Sequence, residues 1–258
     1  MNMYRFIIFL AFAAFPLQNT FAETNISVSP GIMYFNYEEF DLNDVTLDTE
    51  IGFLPGISFL IKEKQHSLGA HIFSGEVEYD GQTQLGVPHK TDTDETLYYL
   101  FYRHDFLTTN QHNFFVGLNY QFWERFIQAN NGVGSLYEEY SWWSAEAGIK
   151  YTTDNQHLIL EVAGFRTFNG DILIDLSNLG YGEPVLNLGD KFGLRSLLAV
   201  NLKTDSFSSM QMGVEYKYWG FGRSNTETLS NGITAISIVE PESKSNLLRF
   251  FINFTQSF

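Results

Sequence analysis

From residue 26 to the C-terminus, apolar side chains recur at every second position, and no apolar stretch in that span is long enough for a membrane-crossing helix. A repeat of two is the repeat of a strand. Ten such segments stand out, near 26–37, 51–62, 67–79, 96–106, 113–125, 138–151, 157–168, 192–203, 208–222 and 246–258. Each is about as long as a tilted strand that crosses a bilayer.

The two faces of these segments differ in kind. In 208–222, Met210, Met212, Val214, Tyr216 and Tyr218 share one face, with Gln211, Gly213, Glu215, Lys217 and Trp219 on the other. In 113–125, Phe114, Val116, Leu118, Tyr120 and Phe122 alternate with Phe115, Gly117, Asn119, Gln121 and Trp123. In the last segment, Leu248, Phe250, Ile252, Phe254 and Phe258 alternate with Arg249, Phe251, Asn253, Thr255 and Ser257. A soluble sandwich would show polar residues on its outer face, whereas a wholly apolar row beside a mixed row suits a wall between lipid and a filled lumen. The expected fold is all-β: an antiparallel transmembrane up-and-down β-barrel of ten strands, with eight or twelve as the neighbouring counts.

Connection lengths orient the barrel. Short polar turns at 62–66, 108–112, 152–157 and 203–206 alternate with longer segments at about 38–50, 76–95, 124–139, 170–191 and 223–244. Outer-membrane barrels keep short turns in the periplasm and long loops outside, so both termini are expected in the periplasm. At the N-terminus, Met1 to Arg5 form a positive region, Phe6 to Leu17 an apolar one, and Thr20-Phe21-Ala22 a small-residue cleavage pattern. These features predict a signal peptide over 1–22 and a single barrel domain over 23–258, exported to a bacterial outer membrane.

The chain has no cysteine, which removes disulfides, thiolate chemistry and lipoprotein acylation. Its 30 acidic residues against 15 basic ones argue against a nucleic-acid partner. Much of the acidity falls in the long connections. The first holds Glu38, Glu39, Asp41, Asp44, Asp48 and Glu50, and the second Glu76, Glu78, Asp80, Asp92, Asp94 and Glu95 against Lys90. A solvated acidic surface is the expectation. Asp41, Asp44, Asp48, Asp92 and Asp94 are the candidates for contact with divalent cations, since hard cations prefer carboxylate oxygens. Aromatic residues near the outer ends of the segments, among them Tyr34, Tyr37, Tyr79, Tyr140, Trp142, Trp143, Trp219 and Phe221, read as an interfacial girdle.

The ending Asn253-Phe254-Thr255-Gln256-Ser257-Phe258 resembles the last strand of Gram-negative outer-membrane proteins, which finishes on an aromatic residue behind alternating apolar positions. The resemblance implies that Phe254 and Phe258 form the signal read by the outer-membrane assembly machinery, and that outer-membrane lipids surround the barrel. It covers the domain in architecture but only the last strand as a motif.

Strand parity gathers Arg103, Glu146, Lys150, Glu161, Arg195, Glu215, Lys217 and Arg249 inside the barrel, a near-neutral set expected to pair as a lumen charge network. Inward Trp123, Trp142 and Trp219 would add bulk. In size and strand count the chain also resembles ten-stranded outer-membrane proteases, which need paired aspartates and an Asp-x-His dyad, yet no Asp-x-His occurs. His89 with Asp92 and Asp94 is the nearest approach to such a cluster. His71 and Ser74 fall on opposite faces of one strand, which disfavours a lipid-hydrolase pair. No phosphate loop, zinc spacing or dinucleotide fingerprint is present, so no cofactor is expected. The sequence therefore points to a monomeric structural or surface-interaction barrel with a plugged lumen and an unidentified extracellular ligand. A narrow pore or small-ligand uptake barrel is the alternative, and a membrane-embedded enzyme the third reading.

Overall fold

The computed structural model describes residues 24–258 apart from 84–85, 108, 110 and 205–207, and the side chains of 107, 203 and 204. The predicted signal segment lies outside the described residues. The strands are β1 (Thr24–Phe40), β2 (Thr46–Glu63), β3 (His66–Gln82), β4 (Pro88–Leu107), β5 (His112–Ile127), β6 (Leu136–Thr152), β7 (Leu158–Asp175), β8 (Val185–Leu188), β9 (Phe192–Thr204), β10 (Ser208–Phe221), β11 (Glu227–Ser230), β12 (Ala235–Ile238) and β13 (Glu242–Ser257).

Ten of these strands close a ring. Sequential neighbours pair from β1 to β7, then β7 pairs with β9, β9 with β10, β10 with β13, and β13 returns to β1. Every ladder is antiparallel, and closure leaves no unpaired edge for lipid to meet. β8 continues the β9 position towards the loop end: Arg166 faces Phe192 of β9, and Gly170 faces Leu188 of β8. β11 and β12 form a separate hairpin within the last loop.

All ten predicted segments are strands, but they run further at the loop end than the alternation suggests. The first two expected loops are mostly strand, so that β1 and β2 are joined by residues 41–45 and β3 and β4 by 83–87. Outward positions show where the apolar band stops. On β3 they read Leu68, Ala70, Ile72, then Ser74, Glu76, Glu78 and Asp80; on β4, Phe106, Tyr102, Leu100 and Tyr98 give way to Thr96, Asp94, Asp92 and Lys90. The β3–β4 hairpin therefore continues past the apolar band for roughly 25 Å measured along its strands, at about 3.3 Å per residue.

Inside, glycines make room for rings. Six inward glycines lie directly opposite an inward phenylalanine on a neighbouring strand: Gly31 and Gly213 both face Phe251, Gly56 faces Phe73, Gly69 faces Phe101, Gly148 faces Phe115, and Gly193 faces Phe165. At Gly69 a methyl group would run into Phe101 Cζ and sit 2.8 Å from the Phe59 carbonyl oxygen. Ring over glycine fills the narrow lumen and covers the backbone that the missing side chain would leave bare.

The expected girdle divides by parity. Tyr34, Phe122, Tyr137, Trp143 and Tyr218 face outward, whereas Tyr37, Tyr79, Tyr140, Trp142, Trp219 and Phe221 are buried inside. Height along the strand places a residue near an interface, but only its parity decides which side it faces.

Candidate functional site

The lumen is built in three levels. Nearest the turns, a chain of ion pairs crosses from wall to wall. Arg103 donates to Glu161 at 2.9 Å; Arg195 donates to Glu146, Glu161 and Glu215 at 3.3 Å each; Arg249 reaches Glu215 at 3.5 Å. Lys62 adds a bond of 2.8 Å to Asp105. Lys217 sits apart from the carboxylates, donating to Gln121 Oε1 at 2.7 Å with its ammonium over the rings of Tyr99, Phe165 and Trp219. Lys150 faces inward from β6 two residues from Gly148. These charges line a cavity of about 290 Å³ that extends from Ser29, Asn253 and Lys62 near the turn end up to Trp123, Trp142 and Trp219.

Those tryptophans belong to the second level, an apolar layer that includes Phe35, Leu54, Phe73, Leu97, Tyr140, Phe221 and Leu247. None of the three is more than 1% exposed. Trp123 stacks on Tyr140 with centroids 4.4 Å apart, and Trp142 lies 6.1 Å from Trp219. Large flat residues from β5, β6 and β10 converge here, each the next inward residue on the loop side of Gln121, Ser144 and Lys217.

Above the layer lies an acidic cluster around one guanidinium. Arg125 donates to Glu138 at 2.7 Å, Glu50 at 2.9 Å and Glu39 at 3.1 Å, and lies 3.5 Å from Asp48. Thr93 donates to Glu50 at 2.9 Å, Tyr37 to Glu39 at 2.9 Å, Tyr140 to Glu240 at 2.7 Å, and Trp123 to Glu95. The outward residues at this height are mostly polar, among them Glu38, Thr49, Asp94, Glu124 and Glu139, with Ile51, Phe126 and Tyr137 beside them, so the cluster lies at the upper edge of the apolar band and beyond it. Six buried carboxylates cannot all ionise beside one arginine. Burial, reinforced by Asp48, lifts Glu39 to about 8; burial lifts Asp48 to about 6; burial and then Glu39 and Glu138 hold Glu240 well above its ordinary range.

The residues proposed from sequence fall into three groups. Arg103, Glu146, Lys150, Glu161, Arg195, Glu215, Lys217 and Arg249 all face the lumen. The five aspartates are scattered: Asp48 is buried beside Arg125, Asp92 and Asp94 face outward on β4, and Asp44 lies in the β1–β2 turn. Asp41 closes that turn by accepting from the backbone of Asn43 at 2.7 Å and Val45 at 2.9 Å, bonds that hold its carboxyl below the usual range. Among the described residues, no group of three or more potential ligands has metal-binding geometry. Phe254 and Phe258 lie on the outer face and end of β13, 50% and 74% exposed. His89 points inward against the Gln128 carbonyl at 3.0 Å while Asp92 and Asp94 point outward; likewise His71 faces Arg249 and Ser74 bonds Thr96 outside.

Sequence reading missed the Arg125 cluster. Continuing the period of two beyond Tyr37 and Leu54 would have turned Glu39, Glu50 and Asp48 inward towards the parity of Arg125.

Solved structures share this architecture. The outer membrane protease OmpT from Escherichia coli superposes with a TM-score of 0.54 at 8% identity, over 94% of this chain and 99% of that one. The chain has the fold of an outer-membrane β-barrel. Outer membrane protein AlkL, determined by solid-state NMR in DMPC bilayers, aligns at 0.45 and 10% identity over 95% of each chain. The Pseudomonas putida toluene transporter TodX aligns at 0.40 and 8% identity, over 92% of this chain and 90% of that one. Neither protein-family models nor curated protein sequences give a match.

Proposed function

We propose that this chain is a non-conducting barrel of the bacterial outer membrane with a structural or surface-interaction role, its short turns periplasmic and its acidic strand extensions outside. The observation that carries the reading is the layer containing Trp123, Trp142 and Trp219, each almost wholly buried, with a cross-lumen ion-pair chain on one side and the Arg125 cluster on the other. Water-filled passage would have to displace packed rings at one level and break buried ion pairs at another. Outside, cross-strand neighbours Glu76 and Asp94, and Glu78 and Asp92, present like charges side by side on β3 and β4. Such a field favours basic partners or cation-bridged lipopolysaccharide phosphates over acidic ones. Planar-bilayer recording tests the reading. Purified barrel is expected to give no discrete steps, and steady conductance by the wild type would overturn the proposal.

A further inference from the structure

We infer that the cavity below the tryptophan layer is a binding site for a small organic anion with a flat apolar body, of the aromatic carboxylate class. Its walls carry six basic side chains, Lys62, Arg103, Lys150, Arg195, Lys217 and Arg249, against four acidic ones, Asp105, Glu146, Glu161 and Glu215. Buried charge left without a counter-charge is costly, so an interior with two more basic than acidic side chains favours an anion as the guest that keeps its lysines charged. The surplus has an address. Lys217 makes no ion pair among the described residues; its bonds are to a neutral amide and to ring faces.

Unused donors point the same way. Arg249 Nε, Trp142 Nε1 and Trp219 Nε1 are buried without a hydrogen-bond partner, and all three residues line the cavity. His71 is a further donor. Its Nδ1 faces Arg249 Nη1 at 3.2 Å, and because a guanidinium can only donate, Nδ1 accepts and the ring proton sits on Nε2. Cations and N–H groups bind an acceptor-rich anionic head, while Phe73, Leu97, Tyr99, Phe101 and Phe251 supply apolar wall for the body. A volume of about 290 Å³ lies at the lower end of the range for small-molecule pockets. The site does not depend on the surface role proposed above, since a guest entering from the turn end need not cross the tryptophan layer.

The test uses the full barrel in lipid nanodiscs, titrated with benzoate, with benzamide as its uncharged counterpart, and with chloride, reading tryptophan fluorescence. Benzoate is expected to give a saturable change with an affinity at least about tenfold above that of benzamide, the size of effect a charge-assisted hydrogen bond produces. Lys217→Gln should lose that preference, retain benzamide binding and keep its heat-modifiable mobility, because it removes an unpaired buried charge. Three results would each overturn the inference: no saturable response to benzoate, equal affinity for benzamide, or chloride matching benzoate at the same concentrations. The wild-type comparison decides even if the variant fails to fold.

Discussion

Arg125 on β5 donates to Glu39 on β1 at 3.1 Å, although β2, β3 and β4 separate the two strands around the barrel wall. The bond spans the lumen at the loop end and ties together the extended strands beyond the tryptophan layer. Removing the guanidinium strands the carboxylates of Glu39, Asp48, Glu50 and Glu138 at 0–8% side-chain exposure. Breaking a buried charge cluster from one side costs about 3–5 kcal/mol. Arg125→Ala is therefore expected to leave the membrane-embedded wall folded but open the loop end, with Arg125→Lys recovering part of the loss because one ammonium cannot reach four carboxylates. Limited proteolysis at the β1–β2 and β11–β12 loops, alongside heat-modifiable mobility, separates local opening from global failure.

The same cluster makes stability depend on pH. Glu39 rises from 4.5 to about 8 and Asp48 from 3.8 to about 6 on folding. The folded state thus binds more protons than the unfolded one between those values, so the contribution is complete at low pH and is lost as pH climbs through about 6 and then about 8. Protection factors at the loop end, which take out the base catalysis common to all amides, should fall between pH 5 and 9, while those in the turn-end wall change little. Loop-end protection factors unchanged or higher at pH 9 would contradict the assignment.

How far the sequence discloses this arrangement depends on what surrounds each level. Within the apolar band the outward row is wholly apolar, and Met212, Val214 and Tyr216 against Gly213, Glu215 and Lys217 make the alternation easy to read. Above it, water accepts Glu38, Glu76 and Asp94 on the outer face while a buried cluster takes Glu39, Glu50 and Glu95 on the inner one. Both faces become acidic, the hydrophobic contrast disappears, and strand resembles loop. The lumen charges at Arg103, Glu161 and Arg195 follow from parity alone, whereas their mutual distances depend on barrel closure, which no local pattern encodes.

Ring-over-glycine packing predicts a penalty for the smallest added side chain. Gly69→Ala places a methyl group against Phe101 and the Phe59 carbonyl, and only the ring could yield. Overpacking of this kind costs typically about 1–3 kcal/mol. Chemical unfolding from lipid vesicles should show that loss. Gly69→Ala combined with Phe101→Leu should restore part of it, which independent sites would not do.

Phe258 lies beyond the last pairing of β13, largely exposed, with its backbone N–H bonded to the Thr24 carbonyl at 3.0 Å where β1 and β13 close the barrel. Phe258→Ala leaves that backbone bond in place. If the aromatic ending serves assembly, the variant should accumulate less heat-modifiable barrel in cell membranes while folding normally into vesicles in vitro. Equal accumulation in cells would remove the assembly role from this residue.

Two neighbouring positions on β10 test the wall itself. Val214 faces outward between Leu198 of β9 and Phe250 of β13, while Gln211 faces inward and donates to Asn201 at 3.0 Å. An arginine facing hydrocarbon near the bilayer midplane costs roughly 2–4 kcal/mol, whereas one inside the lumen can reach water or a carboxylate. Val214→Arg is therefore expected to lower folding stability in vesicles by that amount and Gln211→Arg by clearly less. In a soluble barrel the same two substitutions would rank by core burial instead, and the wild type would fold without lipid or detergent. Equal losses at 211 and 214, or lipid-independent folding, would show that the apolar row on β10 does not meet a membrane.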